Sequence, residues 1–329
     1  MKKLLSMILA VTLALFALSF TACAQNEKPE GKTKITIIMP DGAPALSMYE
    51  LLKNTDTLDG HPVEYKILAG ASELGPMMIN GEAQIAVMPT NVAAKLYNNG
   101  VDLKLLSVNI FGNLYMIGKT ELSDGAKSLV GKVVLNIGRG GTPDITLKLI
   151  LDKNEIPYVE SETPVEGKVA IRYCQDASEV IALIKTDKAD YGVVGEPAAT
   201  KAVTAIGGCV ALDMQEAWNG LVGENSFTQA GVVVNKDVYD DNGLIEALSE
   251  KLTSNLSFIY QDAENVSDTL SKHGSTLKVA FNDGVLNRCN LKNIKASLLK
   301  TQLNAYFEAV KTYDATFIGG KLPDDGFYL

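Results

Sequence analysis

Histidine is almost missing from this chain: His61 and His273 are the only two in 329 residues, far apart and in unrelated surroundings. A histidine-based metal centre or a Ser–His–Asp triad is therefore poorly supplied, and the usual hydrolase chemistries are not expected. Cysteine is scarce too, and Cys174, Cys209 and Cys289 show no metal-ligand spacing. Set apart from Cys23 near the N-terminus, these three of the four cysteines are an odd number for a disulfide framework, so they read as small buried hydrophobes, with a Cys174–Cys209 pair left open. Basic residues are outnumbered, 30 against 39 acidic, and no Lys/Arg-rich stretch interrupts the acidity. Nucleic-acid binding has no electrostatic support. Neither nucleotide signature is present: Pro143 stands where a dinucleotide fingerprint needs its third glycine, and no Gly-Lys-Ser/Thr follows for a P-loop. No pair of carboxylates is spaced persuasively for acid–base work.

What is present begins at the N-terminus. Met1-Lys2-Lys3 precedes an uncharged, largely apolar run from Leu4 to Phe20, then Thr21-Ala22-Cys23, and polarity switches at once from Gln25 to Lys32. A charged start, a short apolar segment and small residues before a junction make an export signal. The cysteine at the junction makes it resemble a bacterial lipoprotein signal, with Phe20 replacing the usual leucine. The expectation is a signal peptide over 1–22, lipidation on Cys23 and a tether over 23–32; an uncleaved anchor is the alternative. Removal of 1–22 would leave 307 residues, room for about two domains, with 28 basic and 39 acidic residues and a formal charge of −11. Hydrophobic content of 47% with 21% charged residues marks an ordinary globular protein.

Periodicity predicts strands at 35–39, 63–68 and 85–88 with helices between them, then an extended stretch over 103–117. A second alternation follows, with strands near 132–137, 170–173, 191–194 and 231–234. Strand–helix alternation at this pitch implies α/β units with parallel sheets. Two leucine-rich stripes, 244–259 and 294–310, predict a helical C-terminal part. No linker composition separates the units, which favours one domain interrupted by another, with crossings near 103–117 and 226–234.

Several strand ends carry polar turns that open helices. Gly138-Arg139-Gly140-Gly141-Thr142-Pro143-Asp144 has more glycine than a turn requires, with Thr142 placed as cap and Pro143 as first helical residue. Its backbone N–H groups would suit an anionic or polar ligand, although Asp144 opposes an anion. Asp41 in Pro40-Asp41-Gly42-Ala43-Pro44, Thr90 and Asn91 after Pro89, and Glu196 in Gly195-Glu196-Pro197 repeat the design. Trp218, the only tryptophan, has a polar, glycine-containing setting that suits a cleft wall, although a lone aromatic is more often core.

These motifs, with Gly81-Glu82-Ala83-Gln84-Ile85-Ala86 and the closing Leu322-Pro323-Asp324-Asp325-Gly326-Phe327-Tyr328, occur in an order that resembles the substrate-binding lipoproteins of ABC importers. The class is the nitrate/sulfonate/taurine one, which includes binders of thiamine precursors. The resemblance implies a periplasmic-binding-protein type II fold of two α/β lobes, lobe 1 from 33–108 plus 230–329 and lobe 2 from 109–229. It implies a ligand-binding set of Asp41, Gly42, Ala43, Thr90, Asn91, Gly141, Thr142 and Glu196, to which Trp218 is added. It further implies no catalysis, cofactor or metal, a monomer anchored outside the cytoplasm through Cys23, and partnership with a permease and its ATPase. It implies capture of a small organic solute, a sulfonate, thiamine precursor or related compound, by lobe closure; Asp41, Asp144 and Glu196 favour a zwitterionic or aromatic solute over a small strong anion. The alternatives are an enzyme on the same fold, of chorismate dehydratase or pyrimidine synthase type, and a ligand-presenting sensor lipoprotein.

Overall fold

The computed structural model describes residues 32–329, so Cys23 and the apolar segment before it lie outside the described residues. Thirteen strands run in order: β1 (Ile35–Pro40), β2 (Thr57–Leu58), β3 (His61–Leu68), β4 (Ile85–Pro89), β5 (Leu103–Ile110), β6 (Leu114–Gly118), β7 (Val133–Ile137), β8 (Tyr158–Glu160), β9 (Val169–Cys174), β10 (Tyr191–Gly195), β11 (Cys209–Asp213), β12 (Ala230–Asn235) and β13 (Leu291–Lys295). They form two sheets, in the orders β13-β5-β12-β4-β1-β3-β2 and β11-β6-β10-β7-β9-β8. The α/β, two-sheet class expected from the sequence is the one observed.

In the first sheet β1 lies parallel to both β3 and β4, and in the second β7 lies parallel to both β9 and β10. Helices cover both faces of such strands, which is why Ile35–Met39 and Val133–Asn136 are buried without alternation. Strands β12 and β6 enter their sheets antiparallel. They flank the two places where the chain passes between sheets, after Ile110 and before Ala230.

Those two passages touch. Gly112 has φ +83, and a Cβ there would lie 2.5 Å from the buried Phe227 ring, so both the left-handed backbone and the close approach require glycine. Asn113 N donates to Gln229 Oε1 at 3.0 Å, and Gln229 N donates to Ile110 O at 3.0 Å. The passages form one hydrogen-bonded joint.

The C-terminal part departs from the expected helical stripe. Ile294 belongs to β13, paired antiparallel with β5, and the helix begins only at Lys300. β-Branched Ile294 sits comfortably on a sheet edge, and the apolar spacing of 294–299 alone could not separate strand from helix. β8 and β11 were likewise not expected. Helix Lys300–Tyr313 packs on the second-sheet helices Thr142–Lys153 and Met214–Val222 as well as on the turn Ala315–Ile318, which in turn sits on helix Thr90–Asn98. The tail therefore joins both sheets, and one apolar cluster runs through Met88, Met116, Trp218 and Phe307.

Candidate functional site

The polar turns singled out in the sequence all leave the carboxyl ends of β1, β4, β7 and β10, the place where open α/β sheets leave room for ligands. Two of them meet across the sheets: a Cβ built on Gly42 would lie 3.9 Å from Pro197 Cδ. Ala43 is buried in the core beneath this turn.

Asp41 and Glu196, both expected to meet ligand, are engaged within the protein. Asp41 Oδ1 accepts from Ser275 Oγ at 2.6 Å and Gly42 N at 3.0 Å, while Oδ2 accepts from Thr276 N at 2.8 Å and Thr276 Oγ1 at 3.2 Å. Glu196 has a wholly buried side chain. Its Oε1 accepts from Arg288 Nε at 2.6 Å and Thr200 Oγ1 at 2.8 Å, and its Oε2 accepts from Thr200 N at 3.0 Å. Arg288 Nη2 also donates to Thr200 Oγ1 at 2.6 Å. Arg288 ends helix Asp283–Arg288, just before β13 of the first sheet, so this ion pair ties one sheet's turn to the other sheet's flank.

The glycine loop is also largely spent. Gly140 N donates to Asp144 Oδ2 at 2.8 Å, and Gly141 N donates to Gly138 O at 2.9 Å. Asp144 additionally accepts from Lys148 Nζ at 2.9 Å and Tyr173 OH at 2.8 Å. Two N–H groups of the expected anion cradle are thus engaged, one of them by the acid that sequence reasoning flagged against it.

A second set of residues forms a closed circuit of contacts between the sheets. Asn91 Nδ2 donates to Phe317 O at 3.5 Å. The Phe317 ring lies on Gly140, where a Cβ would come within 2.9 Å of it and φ is +72. Two residues on, Thr142 neighbours the Tyr306 phenol without forming a hydrogen bond of good geometry. Tyr306 stacks at 6.2 Å from Phe227. The next residue, Thr228, accepts through its carbonyl from Thr90 Oγ1 at 2.5 Å, and Thr90 adjoins Asn91. Asn136 joins from β7, its Nδ2 donating to Pro143 O at 3.4 Å.

Four side-chain atoms of this circuit, Asn91 Oδ1, Asn136 Oδ1, Thr228 Oγ1 and Tyr306 OH, have no hydrogen-bond partner among the described residues. The residues carrying them are 5%, 0%, 0% and about 0% exposed. Burial pushes the Tyr306 phenol up to about 12, with Thr142 pulling the other way, so the hydroxyl keeps its proton at neutral pH. Similar atoms on Glu50, Thr55, Asn98, Asn219 and Asn293 lie outside the circuit.

Of the expected site residues, then, the fold brings Thr90, Asn91 and Thr142 into the circuit, with Gly141 in its loop. It places Asp41, Gly42, Ala43 and Glu196 at the adjoining turn. Trp218 is a correction: it is fully buried, stacked at 4.9 Å on Phe227, with its indole N–H donated to Ser226 Oγ at 3.0 Å. The indole is therefore core behind the circuit, not a cleft wall.

Sequence reasoning missed Asn136, Thr228, Tyr306 and Phe317. A lone asparagine in the buried strand Val-Val-Leu-Asn-Ile was the one available signal. It also missed a trio of metal-ligating type: Asp59, His61 and Asp241 bring ligand atoms within 4.8 Å of one another near the start of β3. There Asp241 Oδ1 caps the helix by accepting from Leu244 N at 3.0 Å, and its Oδ2 lies 3.4 Å from His61 Nε2.

No family model matches the chain, and no curated protein sequence matches it. Solved structures share its fold. An ABC transporter protein from Parabacteroides distasonis is 23% identical with a TM-score of 0.75, over 90% of this chain and 98% of that one. The ligand-binding component of an ABC-type import system from Staphylococcus aureus, with zinc bound, is 12% identical with a TM-score of 0.64, over 91% and 97%. The periplasmic aliphatic sulphonate binding protein SsuA from Escherichia coli is 11% identical with a TM-score of 0.64, over 88% and 95%. At these identities the likeness establishes the fold. No described helix is long and apolar enough to cross a membrane.

Proposed function

We propose that this chain is the extracytoplasmic solute-binding component of an ABC importer, which takes a small organic solute between its two lobes and hands it to a permease. The observation that carries this reading is the circuit. A buried donor or acceptor left unpaired costs about 1–3 kcal/mol. Four of them together rival the roughly 5–15 kcal/mol by which a domain is stable. A partner that arrives by binding satisfies them and favours the closed arrangement, because only contacts absent from the open form can shift that equilibrium.

In this reading the lobes are 33–108 plus 230–329 and 109–229, and the Gly112–Phe227 joint is where they turn. Asn91, Thr90, Gly141 and Thr142 meet the solute, while Asp41, Gly42 and Ala43 set the adjoining turn. Glu196 latches to Arg288. Cys23 carries lipid that holds the monomer at the membrane face and raises its concentration near the permease. The circuit includes no histidine or carboxylate to move a proton, so the solute leaves unmodified.

The test is capture and recovery. The chain is incubated with a mixture of small metabolites, stripped of free solute, denatured, and the released molecules identified by mass. One unmodified compound at near-equal molar ratio is expected. Conversion of that compound during incubation would make the chain an enzyme on this fold. For the anchor, Cys23→Ala is expected to release the protein from membranes; retention would mean an uncleaved apolar segment.

A further inference from the structure

We infer that the solute is a small uncharged molecule that brings its own N–H or O–H donors, held by Asn91 and Asn136, and that it is not a sulfonate or another anion. This rests on the solute-binding reading above and specifies the chemistry of that same site.

The two amides are oriented by their surroundings. Asn91 faces Phe317 O at 3.5 Å and Asn136 faces Pro143 O at 3.4 Å, and a carbonyl oxygen only accepts. Each NH2 group must therefore point at its carbonyl, which leaves both Oδ1 atoms as the unpartnered ends. Both are acceptors, and acceptors recognise donors. The Thr228 and Tyr306 hydroxyls can turn either way and adapt to whatever else the solute presents.

Three glycine N–H groups at these turns that could receive an anion are taken. The N–H of Gly140 goes to Asp144, that of Gly141 to Gly138 O, and that of Gly42 to Asp41. Among the cations near these turns, Arg139 is paired with Glu160, Lys148 with Asp144, and Arg288 with Glu196. No residue of the circuit is charged: it comprises Thr90, Asn91, Asn136, Thr142, Phe227, Thr228, Tyr306, Phe317 and the Gly140 loop. A sulfonate enclosed there would be a buried charge without a counter-charge, which costs several kcal/mol. A zwitterion would strand two. The rings of Phe227 and Phe317 add apolar walls that accept a flat neutral body.

The experiment uses the full chain, purified in detergent, against an equimolar mixture of taurine, ethanesulfonate, cytosine, nicotinamide and a neutral metabolite extract. Bound material is released by denaturation and identified by mass, and its affinity is then measured by calorimetry. The expected result is release of a neutral, donor-bearing compound, with Asn91→Leu and Asn136→Leu each weakening it at least tenfold while circular dichroism is unchanged. Release of taurine, ethanesulfonate or another anion overturns this inference and leaves the solute-binding reading standing. Release of nothing overturns both. If a leucine variant fails to fold, the charge of the compound released from the wild-type chain still decides.

Discussion

Two polar regions lie between the sheets, and they are built on opposite terms. Around Glu196 each hydrogen-bonding group has its partner: Arg288, Thr200 Oγ1 and Thr200 N occupy both carboxylate oxygens. Around Asn91 and Asn136, equally buried groups are left with one end unsatisfied. Saturation makes a latch, since nothing further is gained by adding a ligand there. In the proposed function incompleteness makes a receptor, because an incoming molecule completes it.

The core behind the circuit carries the largest expected effect. Trp218→Ala should cost about 3–5 kcal/mol, the range for removing a buried aromatic. Chemical denaturation would measure it; a loss under about 1 kcal/mol would mean that the circuit is loosely packed and its orphaned atoms are accidents of poor packing.

Arg288→Ala comes next. It leaves a wholly buried Glu196 carboxylate without its cation, and breaking a buried pair costs about 3–5 kcal/mol; because the Arg288 side chain is 39% exposed, about 2–3 is expected after solvent screening. Double substitution with Glu196→Gln should recover part of the loss. Failure to recover any would show that the pair is not the latch.

At the receptor the outcome should invert. Asn136→Leu and Asn91→Leu each remove an unpaired buried acceptor along with one long amide bond, so stability should change by under about 1 kcal/mol while binding is lost. A melting temperature that falls as far as for Arg288→Ala would erase the distinction between the two regions.

The smallest effect provides a control far from both. Burial pushes the Asp262 carboxyl up, but donors from Lys53, Tyr49 and Asn265 outweigh it and hold it below the ordinary carboxylate range. A depressed folded value stabilises above the unfolded value near about 3.9 and is lost as pH falls through the folded one. Thermal melts of Asp262→Asn should therefore trail wild type at pH 7 and converge with it in acid, once the pH lies below the folded value. Divergence that persists in acid would remove the electrostatic explanation.

Much of the fold was legible because its signals are local. The runs Ile35–Met39, Ile85–Met88 and Val133–Ile137 are short, apolar and bounded by turn residues, which specifies buried strands feeding helices. Ile294 misled because six residues of apolar spacing fit strand and helix alike. Trp218 misled because polar neighbours in sequence do not fix whether one indole is packed in the core. Asn91 and Thr142 were found through their place at helix openings. Tyr306 was hidden inside an apolar stripe, where one hydroxyl does not change the periodicity.

By itself the sequence determined the α/β alternation, the polar turns at the strand ends and the acidic, histidine-poor character that speaks against much familiar chemistry. Each of those depends on residues a few positions apart. Only the tertiary structure decided which polar groups are spent and which are left over. Asp41 is satisfied by Ser275, 234 positions away, and Glu196 by Arg288, 92 away. Hydrogen-bond satisfaction is settled by whatever the folded chain brings within about 3 Å, and sequence distance carries no information about that.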